Sequence, residues 1–150
     1  MDVNNLARLG TSRRDLVDVY YKQCRSVLEL AAPAWIPGLT KTEINQLERV
    51  QKAACAIILG KQFYSYKAAL RILNMETLES RRFTISLRFA RKALNSEKFK
   101  EWFAMNETSD RNMKTRASKT KCKLKPVTYK KRRYKNSPIP HLTELLNNHS

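Results

Sequence analysis

Apolar side chains recur every three or four positions through the first two thirds of the chain, which is the period of an α-helix. Ser12 and Asp15 form a helix-capping pattern ahead of the first stripe, and Pro33 is predicted to end that helix. The stripe consists of Leu16, Val19, Tyr20, Val27, Leu28 and Ala31. The pattern therefore predicts one long helix between Ser12 and Pro33.

A second helix is predicted between Thr40 and Gly60, because Thr40 with Glu43 repeats the capping pattern and Gly60 supplies a C-cap. Its apolar stripe consists of Ile44, Leu47, Val50, Ala54, Ile57 and Ile58. A short third helix fits SYKAALRIL after Ser65, and Thr77 caps a fourth.

Two short helices complete the prediction. One, around EKFKEWF, is expected to lay Phe99, Trp102 and Phe103 against the other helices. The other begins near Ser137, where Pro138 suits a first helical turn, and carries the apolar stripe Leu142, Leu145 and Leu146.

The fold class predicted from these elements is all-α: a small helical array with an extended basic C-terminal tail and a short terminal helix. Only three glycines, and no stretch of apolar and polar alternation, argue against a sheet. The expected organisation is a lead-in over 1–11, a helical domain over 12–104, a flexible basic arm over 105–136 and a terminal helix over 137–150.

Charge is the strongest functional signal, since the net charge of +17 is concentrated in one segment. Residues 111–135 hold 12 Lys and Arg side chains and no Asp or Glu, which accounts for +12 of the total. Such a density of like charge repels itself and is typical of a solvated segment that meets a polyanion.

The other features of the sequence give no sign of a disulfide, metal, catalytic or membrane-spanning pattern. The three cysteines lack CxxC spacing, and the two histidines have no Cys or carboxylate at ligand spacing, so we expect no disulfide framework, metal or cofactor. No glycine-rich phosphate loop or catalytic motif occurs, and no catalytic residue is expected. Without a signal peptide or an apolar run of about 20 residues, the chain is expected to be soluble and intracellular, with no membrane partner.

A nucleic-acid-binding set is therefore predicted in the basic segment. Lys and Arg neutralise phosphates, while tyrosine rings offer faces on which unpaired bases stack. The set consists of Arg116, Lys119, Lys121, Lys123, Lys125, Tyr129, Lys130, Lys131, Arg132, Arg133 and Tyr134. A second basic face is considered on the fourth helix, formed by Arg81, Arg82, Arg88 and Arg91. The same charges also fit a solvated tail or a nuclear import signal.

The run LARLGTSRRDLVDVYYKQCRSVLELAAPAWIPGLTKTEINQLERVQKAACAIILG resembles the region after the polymerase palm in reverse transcriptases of non-LTR retrotransposons of the jockey-like group. The matching residues are Leu16, Tyr20, Arg25, Ser26, Val27, Leu28, Glu29, Ala31, Pro33 and Trp35, followed by Leu47, Glu48, Gln51, Ala53, Ile57, Ile58 and Gly60. Leu30 stands where the family pattern has an aromatic residue. The fragments SYKAALRILNMETLESRR, NMKTR and RYKNSPIPHLTELLN look like the remainder of that region.

The resemblance implies a non-catalytic, thumb-like C-terminal part of an RNA-directed DNA polymerase. It implies contact with template RNA or target DNA, a palm domain as a further partner, and a nuclear location. No consecutive Asp pair is present, so the chain lacks the palm motif that holds the metal ions of this family. The alternative hypothesis is an α-helical protein-interaction adaptor whose basic tail is a nuclear import signal.

Overall fold

The computed structural model describes residues 3–105 and 124–149, apart from the side chains of Lys100 and Arg132. Within these ranges the protein is all-α, as predicted, with a single isolated bridge between Met105 and Leu124 in place of any strand. No helix of the described part is long and apolar enough to cross a membrane.

The predicted helices occur in the predicted order, and three further short helices, Val3–Arg8, Ala32–Trp35 and Arg132–Lys135, were not predicted. They are α1 (Val3–Arg8), α2 (Arg13–Val19), α3 (Ser26–Glu29), α4 (Ala32–Trp35), α5 (Lys41–Leu59), α6 (Tyr66–Ile72), α7 (Leu78–Leu94), α8 (Arg132–Lys135) and α9 (Pro138–Asn148). A π-helical segment, Tyr20–Arg25, joins α2 to α3. Three 3₁₀ turns lie at Ile36–Gly38, Gly60–Gln62 and Lys100–Trp102.

The predicted N-caps are confirmed. The Ser12 hydroxyl accepts from the backbone N–H of Asp15 at 3.3 Å. Thr40 and Glu43 form a complete capping box, in which the Glu43 carboxylate accepts from the Thr40 N–H at 2.7 Å. That bond and a second from the Thr40 hydroxyl lower the pKa of Glu43. Each cap satisfies backbone donors that have no partner inside the helix, which explains why the helices begin where the sequence indicated.

The first helix ends earlier than Pro33, which corrects the prediction. Helical structure runs from Arg13 to Glu29, and Ala31 then takes a left-handed conformation with φ of 50°. Pro33 instead lies in the first turn of α4, where a proline is tolerated because its missing N–H would have no partner there.

Val27 also departs from the predicted stripe, since 68% of its surface is exposed. The π-helical segment precedes it, and each residue of that wider helix turns through a smaller angle than in an α-helix. Positions after the segment therefore lag behind the α-helical phase. Tyr20 at its start is fully buried, whereas Val27 faces solvent.

The segment EKFKEWF forms a 3₁₀ turn at Lys100–Trp102 rather than a regular α-helix. Phe103 is nevertheless buried and Phe99 is partly buried, as expected, while Trp102 stays partly exposed against the Phe99 ring at a centroid distance of 4.6 Å.

The chain forms two compact units, and the boundary between them falls within α7. The first unit takes its described residues from Met1–Ala32 and Leu39–Phe83, and the second from Pro33–Gly38 and Thr84–Ser150. The core of the first is built by Val3, Leu16, Tyr20, Ala54, Cys55, Ile58, Leu59, Ala69, Leu73 and Met75. The core of the second is built by Ala90, Ala93, Phe103, Leu124, Leu142, Leu145 and Leu146.

A chain of polar side chains runs through the first unit. The Tyr20 hydroxyl donates to Gln51 Oε1 at 2.8 Å, and Gln51 Nε2 donates to the Tyr66 hydroxyl at 3.1 Å and to the Glu76 carbonyl at 2.7 Å. The Tyr66 hydroxyl in turn donates to Glu48. Burial, together with the Glu48 carboxylate, raises the pKa of Tyr66, so its phenol stays a donor. Because every atom of Gln51 that needs a partner has one, this buried amide orders the core around it.

Candidate nucleic-acid interface

The described part of the basic segment starts at Leu124, which is buried in the core of the second unit. The Leu124 N–H donates to Asn147 Oδ1 at 3.0 Å, and Asn147 Nδ2 donates back to the Leu124 carbonyl at 3.1 Å. The Lys125 N–H donates to the Ala104 carbonyl at 2.7 Å. These bonds fix an extended stretch of chain against α9, a few residues before the run of cations from Lys130 to Arg133.

Beyond that anchor the predicted cations point to solvent. Lys125, Lys130, Lys131 and Arg133 are exposed, and α8 contributes one helical turn closed by a bond from the Lys135 N–H to the Lys131 carbonyl. Arg116, Lys119, Lys121 and Lys123 lie outside the described residues, and so does the side chain of Arg132, whose backbone begins α8.

The two predicted aromatic residues differ in surroundings although both are partly exposed, Tyr129 to 45% and Tyr134 to 43%. Lys135, which the sequence analysis did not select, places its ammonium 5.7 Å from the centre of the Tyr129 ring. That distance is within the range of a cation–π interaction. Tyr129 also lines a groove, as described below, and Tyr134 does not.

Among the described side chains, the basic segment has no carboxylate partner. The ion pairs of the described part use Glu29 and Glu48, both in the first unit, and none includes Lys125, Lys130, Lys131, Arg133 or Lys135. Among the described residues, Glu144 of α9 is the acidic residue nearest to these cations in the sequence, and no ion pair joins it to them. Within the described part of the chain, the charge of these cations is therefore not neutralised by carboxylates.

The second basic face considered from the sequence is not continuous. Arg81 binds Glu29 through two bonds of 3.1 Å each, and this contact raises the pKa of the Arg81 guanidinium. Arg82 is only 4% exposed, and its Nη2 lies 3.9 Å from Glu48 Oε2. Arg82 therefore does not belong to an exposed face, and both guanidinium groups already have a counter-charge.

The other two arginines of that face, Arg88 and Arg91, lie in the second unit and are exposed. Arg91 donates to the carbonyl of His149 at 3.1 Å. Helical periodicity could not separate these arginines from Arg81 and Arg82, because it says nothing about where a glutamate from another helix will lie.

A groove of about 500 Å³ lies beside the basic segment, within the second unit. Its apolar walls are Pro37, Pro126, Val127 and Pro140, and the Tyr129 ring lines it as well. Asn136, His141, Glu144 and Asn148 supply its polar groups, together with Lys135. We call it the Tyr129 groove. Local sequence patterns do not predict this groove, since its lining comes from three stretches of the chain, at Pro37, over 126–136 and on α9.

His141 is the titratable ring of the groove. It is half-buried, and burial lowers its pKa, while the Glu144 carboxylate opposes that shift. The imidazole is therefore neutral at neutral pH and has one donor and one acceptor nitrogen.

Within the described ranges, no cluster of three or more His, Cys, Asp or Glu side chains is placed to hold a metal ion. Comparison of the chain with protein-family models, with curated proteins and with solved structures finds no match.

Proposed function

We propose that this chain binds the phosphate backbone of RNA or DNA through its C-terminal basic segment and has no catalytic role of its own. The observation that carries the proposal is the row of exposed cations between Lys125 and Lys135 without a carboxylate partner among the described side chains. Phosphates are the abundant cellular anions that such a row neutralises, with release of condensed counterions.

Two further features support the proposal. The neighbouring stretch 111–123 adds Arg111, Lys114, Arg116, Lys119, Lys121 and Lys123 in the sequence without one acidic residue. The resemblance of residues 6–60 to the region after the palm in jockey-like reverse transcriptases suggests the setting: a thumb-like part that holds template RNA or target DNA in the nucleus while a palm domain carries out polymerisation.

Salt titration of binding provides the test. Fluorescence anisotropy of labelled single-stranded RNA, single-stranded DNA and duplex DNA would give the slope of log K against log salt. This slope is negative, and each phosphate contact adds about 0.7 to 0.9 to its magnitude. Reversing Lys130, Lys131 and Arg133 to Glu should make the slope shallower by about 2 to 3.

The matched control reverses Lys52, Lys61 and Lys67, which are exposed residues of the first unit, and changes the net charge by the same amount. This control should keep most of the slope. If both variants lost the same amount of slope, the effect would depend only on the net charge of the chain. A slope near zero for the unmodified protein would overturn the proposal.

An adaptor that binds another protein, with the basic segment as a nuclear import signal, is the second candidate. The exposed apolar side chains Val27 and Leu30 of the first unit favour it, since contiguous exposed apolar surface is typical of protein-interaction sites. A nuclear location with no salt-dependent affinity for any oligonucleotide would support this candidate.

A further inference from the structure

The Tyr129 groove has the size of a small-ligand site. Pockets that hold cofactors and drug-sized ligands enclose roughly 300 to 1,000 Å³. The groove encloses about 500 Å³, which falls within that range and leaves room for a single nucleotide. A folded duplex is far too wide to enter it, whereas one base turned out of a single strand is not.

Its lining combines an aromatic ring with apolar walls. The flat Tyr129 ring is partly exposed, and Pro126, Val127 and Pro140 line the same groove. Rings and rigid apolar walls of this kind accept the face of a planar heterocycle, because stacking buries apolar surface without requiring hydrogen bonds across the plane.

Polar groups in the lining match the edge of a base. The amides of Asn136 and Asn148 each carry a donor and an acceptor, and the neutral imidazole of His141 carries one of each. Asn147, also in the lining, already uses its amide on the Leu124 backbone and is not available.

The groove is lined by two side chains of opposite charge, which favour one orientation of a nucleotide. Lys135 is the cation of the lining, and Glu144 is its carboxylate. A phosphate is attracted by Lys135 and repelled by Glu144, while the ring N–H or exocyclic amine of a base can donate to a carboxylate. A nucleotide therefore fits with its phosphate toward Lys135 and its base edge toward Glu144.

We propose that the Tyr129 groove binds one unpaired base of a single RNA or DNA strand, with Tyr129 as the stacking ring and Lys135 as the phosphate contact. This inference rests on the proposed function, which requires only charge, and adds a base-binding subsite to it. It assigns base stacking to Tyr129 and not to Tyr134, although the sequence pattern gives both residues the same role.

The decisive comparison is between Tyr129→Leu and Tyr134→Leu, each of which keeps an apolar side chain at a partly exposed position of the same segment. Loss of one base stack typically costs about five- to a hundredfold in affinity. Tyr129→Leu should show that loss for single-stranded oligonucleotides, and Tyr129→Phe should restore most of the affinity. Tyr134→Leu should cost clearly less, since its ring does not line the groove, and Tyr64→Leu, at an exposed tyrosine of the first unit, should stay within about twofold of the unmodified protein.

Oligonucleotides without bases at several positions provide the second arm. They keep the phosphates, so the unmodified protein should bind them as weakly as Tyr129→Leu binds the intact strand. The Tyr129→Leu substitution should have no further effect on them. Ribose and deoxyribose strands are compared in parallel to separate RNA from DNA.

Nucleoside monophosphates give a readout independent of the long basic segment. Titration into the isotope-labelled full chain should shift the NMR signals of His141, Asn136 and Asn148 side chains, and Tyr129→Leu should abolish the shifts. If these shifts appear while strand binding shows no salt dependence, the groove proposal stands and the backbone proposal falls.

Other results would overturn the groove proposal itself. They are equal effects of Tyr129→Leu and Tyr134→Leu, unchanged affinity for strands without bases, or no shift with any nucleoside monophosphate. Salt-dependent strand binding together with any of these would leave the backbone proposal intact. Urea unfolding of each variant, monitored by circular dichroism, verifies that the second unit stays folded.

Discussion

Asn147 and Leu124 are joined by two reciprocal hydrogen bonds, at 3.0 and 3.1 Å, although they are 23 residues apart in the sequence. The amide of Asn147 pairs with the Leu124 N–H and carbonyl in the way that a neighbouring strand would. Leu124 itself is buried with Leu142 and Leu146 of α9. Through this contact α9 holds the basic segment in place at Leu124.

Replacing Asn147 by Ala should destabilise the second unit. The change removes both bonds to the Leu124 backbone, and the loss of a hydrogen bond to a buried polar group costs about 1 to 3 kcal/mol. The adjacent Asn148, exposed in α9, is the control, and Asn148→Ala should cost much less. Urea unfolding followed by circular dichroism measures the stability of both variants. Equal stability of the two would contradict a stabilising role of the bonds between Asn147 and Leu124.

Gln51→Ala should be among the costly substitutions in the first unit. The Tyr20 hydroxyl would lose its acceptor in a fully buried position, and the Glu76 carbonyl would lose its donor. We expect a loss of about 3 kcal/mol in the free energy of unfolding, from two unsatisfied groups and a cavity. Gln46→Ala, on the exposed side of the same helix, should cost well under 1 kcal/mol.

A double-mutant cycle sharpens this test. Removing the hydroxyl with Tyr20→Phe should make a subsequent Gln51→Leu less damaging, because the phenol no longer needs an acceptor. Additive effects of the two substitutions would mean that the 2.8 Å bond between them contributes little.

Helix starts were predictable from the sequence because a cap is local. Ser12 with Asp15, and Thr40 with Glu43, form their bonds within three residues of each other. The stripe through Val27 was predicted wrongly because a π-helical segment changes the phase, and neither its six residues nor Ser26 after it carry a proline or glycine as a warning. Arg82 was misplaced for a different reason: its burial depends on Glu48, which lies in another helix.

For the candidate site, composition identified the basic segment but not its surroundings. Tyr129 and Tyr134 flank the same run of four cations, so the sequence gives no reason to rank them. Lys135 was passed over although it lies beside the Tyr129 ring. These differences arise from the packing of Leu124 against α9, a contact that local patterns do not encode.

Glu48→Gln should cost more stability than Glu29→Gln, although the Glu29 contacts to Arg81 are shorter. The Arg82 side chain is 5% exposed and the Arg81 side chain 32%, so only Arg81 can recover hydration when its partner loses charge. Leaving a buried charge unpaired costs about 3 kcal/mol or more, while a partly exposed one costs about 1 kcal/mol. Glutamine keeps an oxygen that can accept from Tyr66 and Leu78, which isolates the effect of charge. Urea midpoints that rank the two variants in the opposite order would contradict this reasoning.

Acidification should destabilise the second unit through His141. Burial lowers the pKa of this imidazole in the folded protein, Glu144 opposes the shift, and the unfolded value is about 6.5. Because the unfolded chain then binds the proton more readily, the contribution of His141 to stability is fully present above about pH 6.5 and is lost as the pH falls toward the folded-state pKa.

NMR titration of the His141 ring, in the native protein and in concentrated urea, measures the two pKa values directly. Urea unfolding at neutral pH and about one unit below the unfolded pKa should show a larger loss of stability for the unmodified protein than for His141→Gln, which has no proton to gain. Glu144→Gln should lower the folded pKa of the imidazole further, because the Glu144 carboxylate opposes the effect of burial. A native pKa at or above the value in urea would contradict the assignment of His141 as a buried neutral ring.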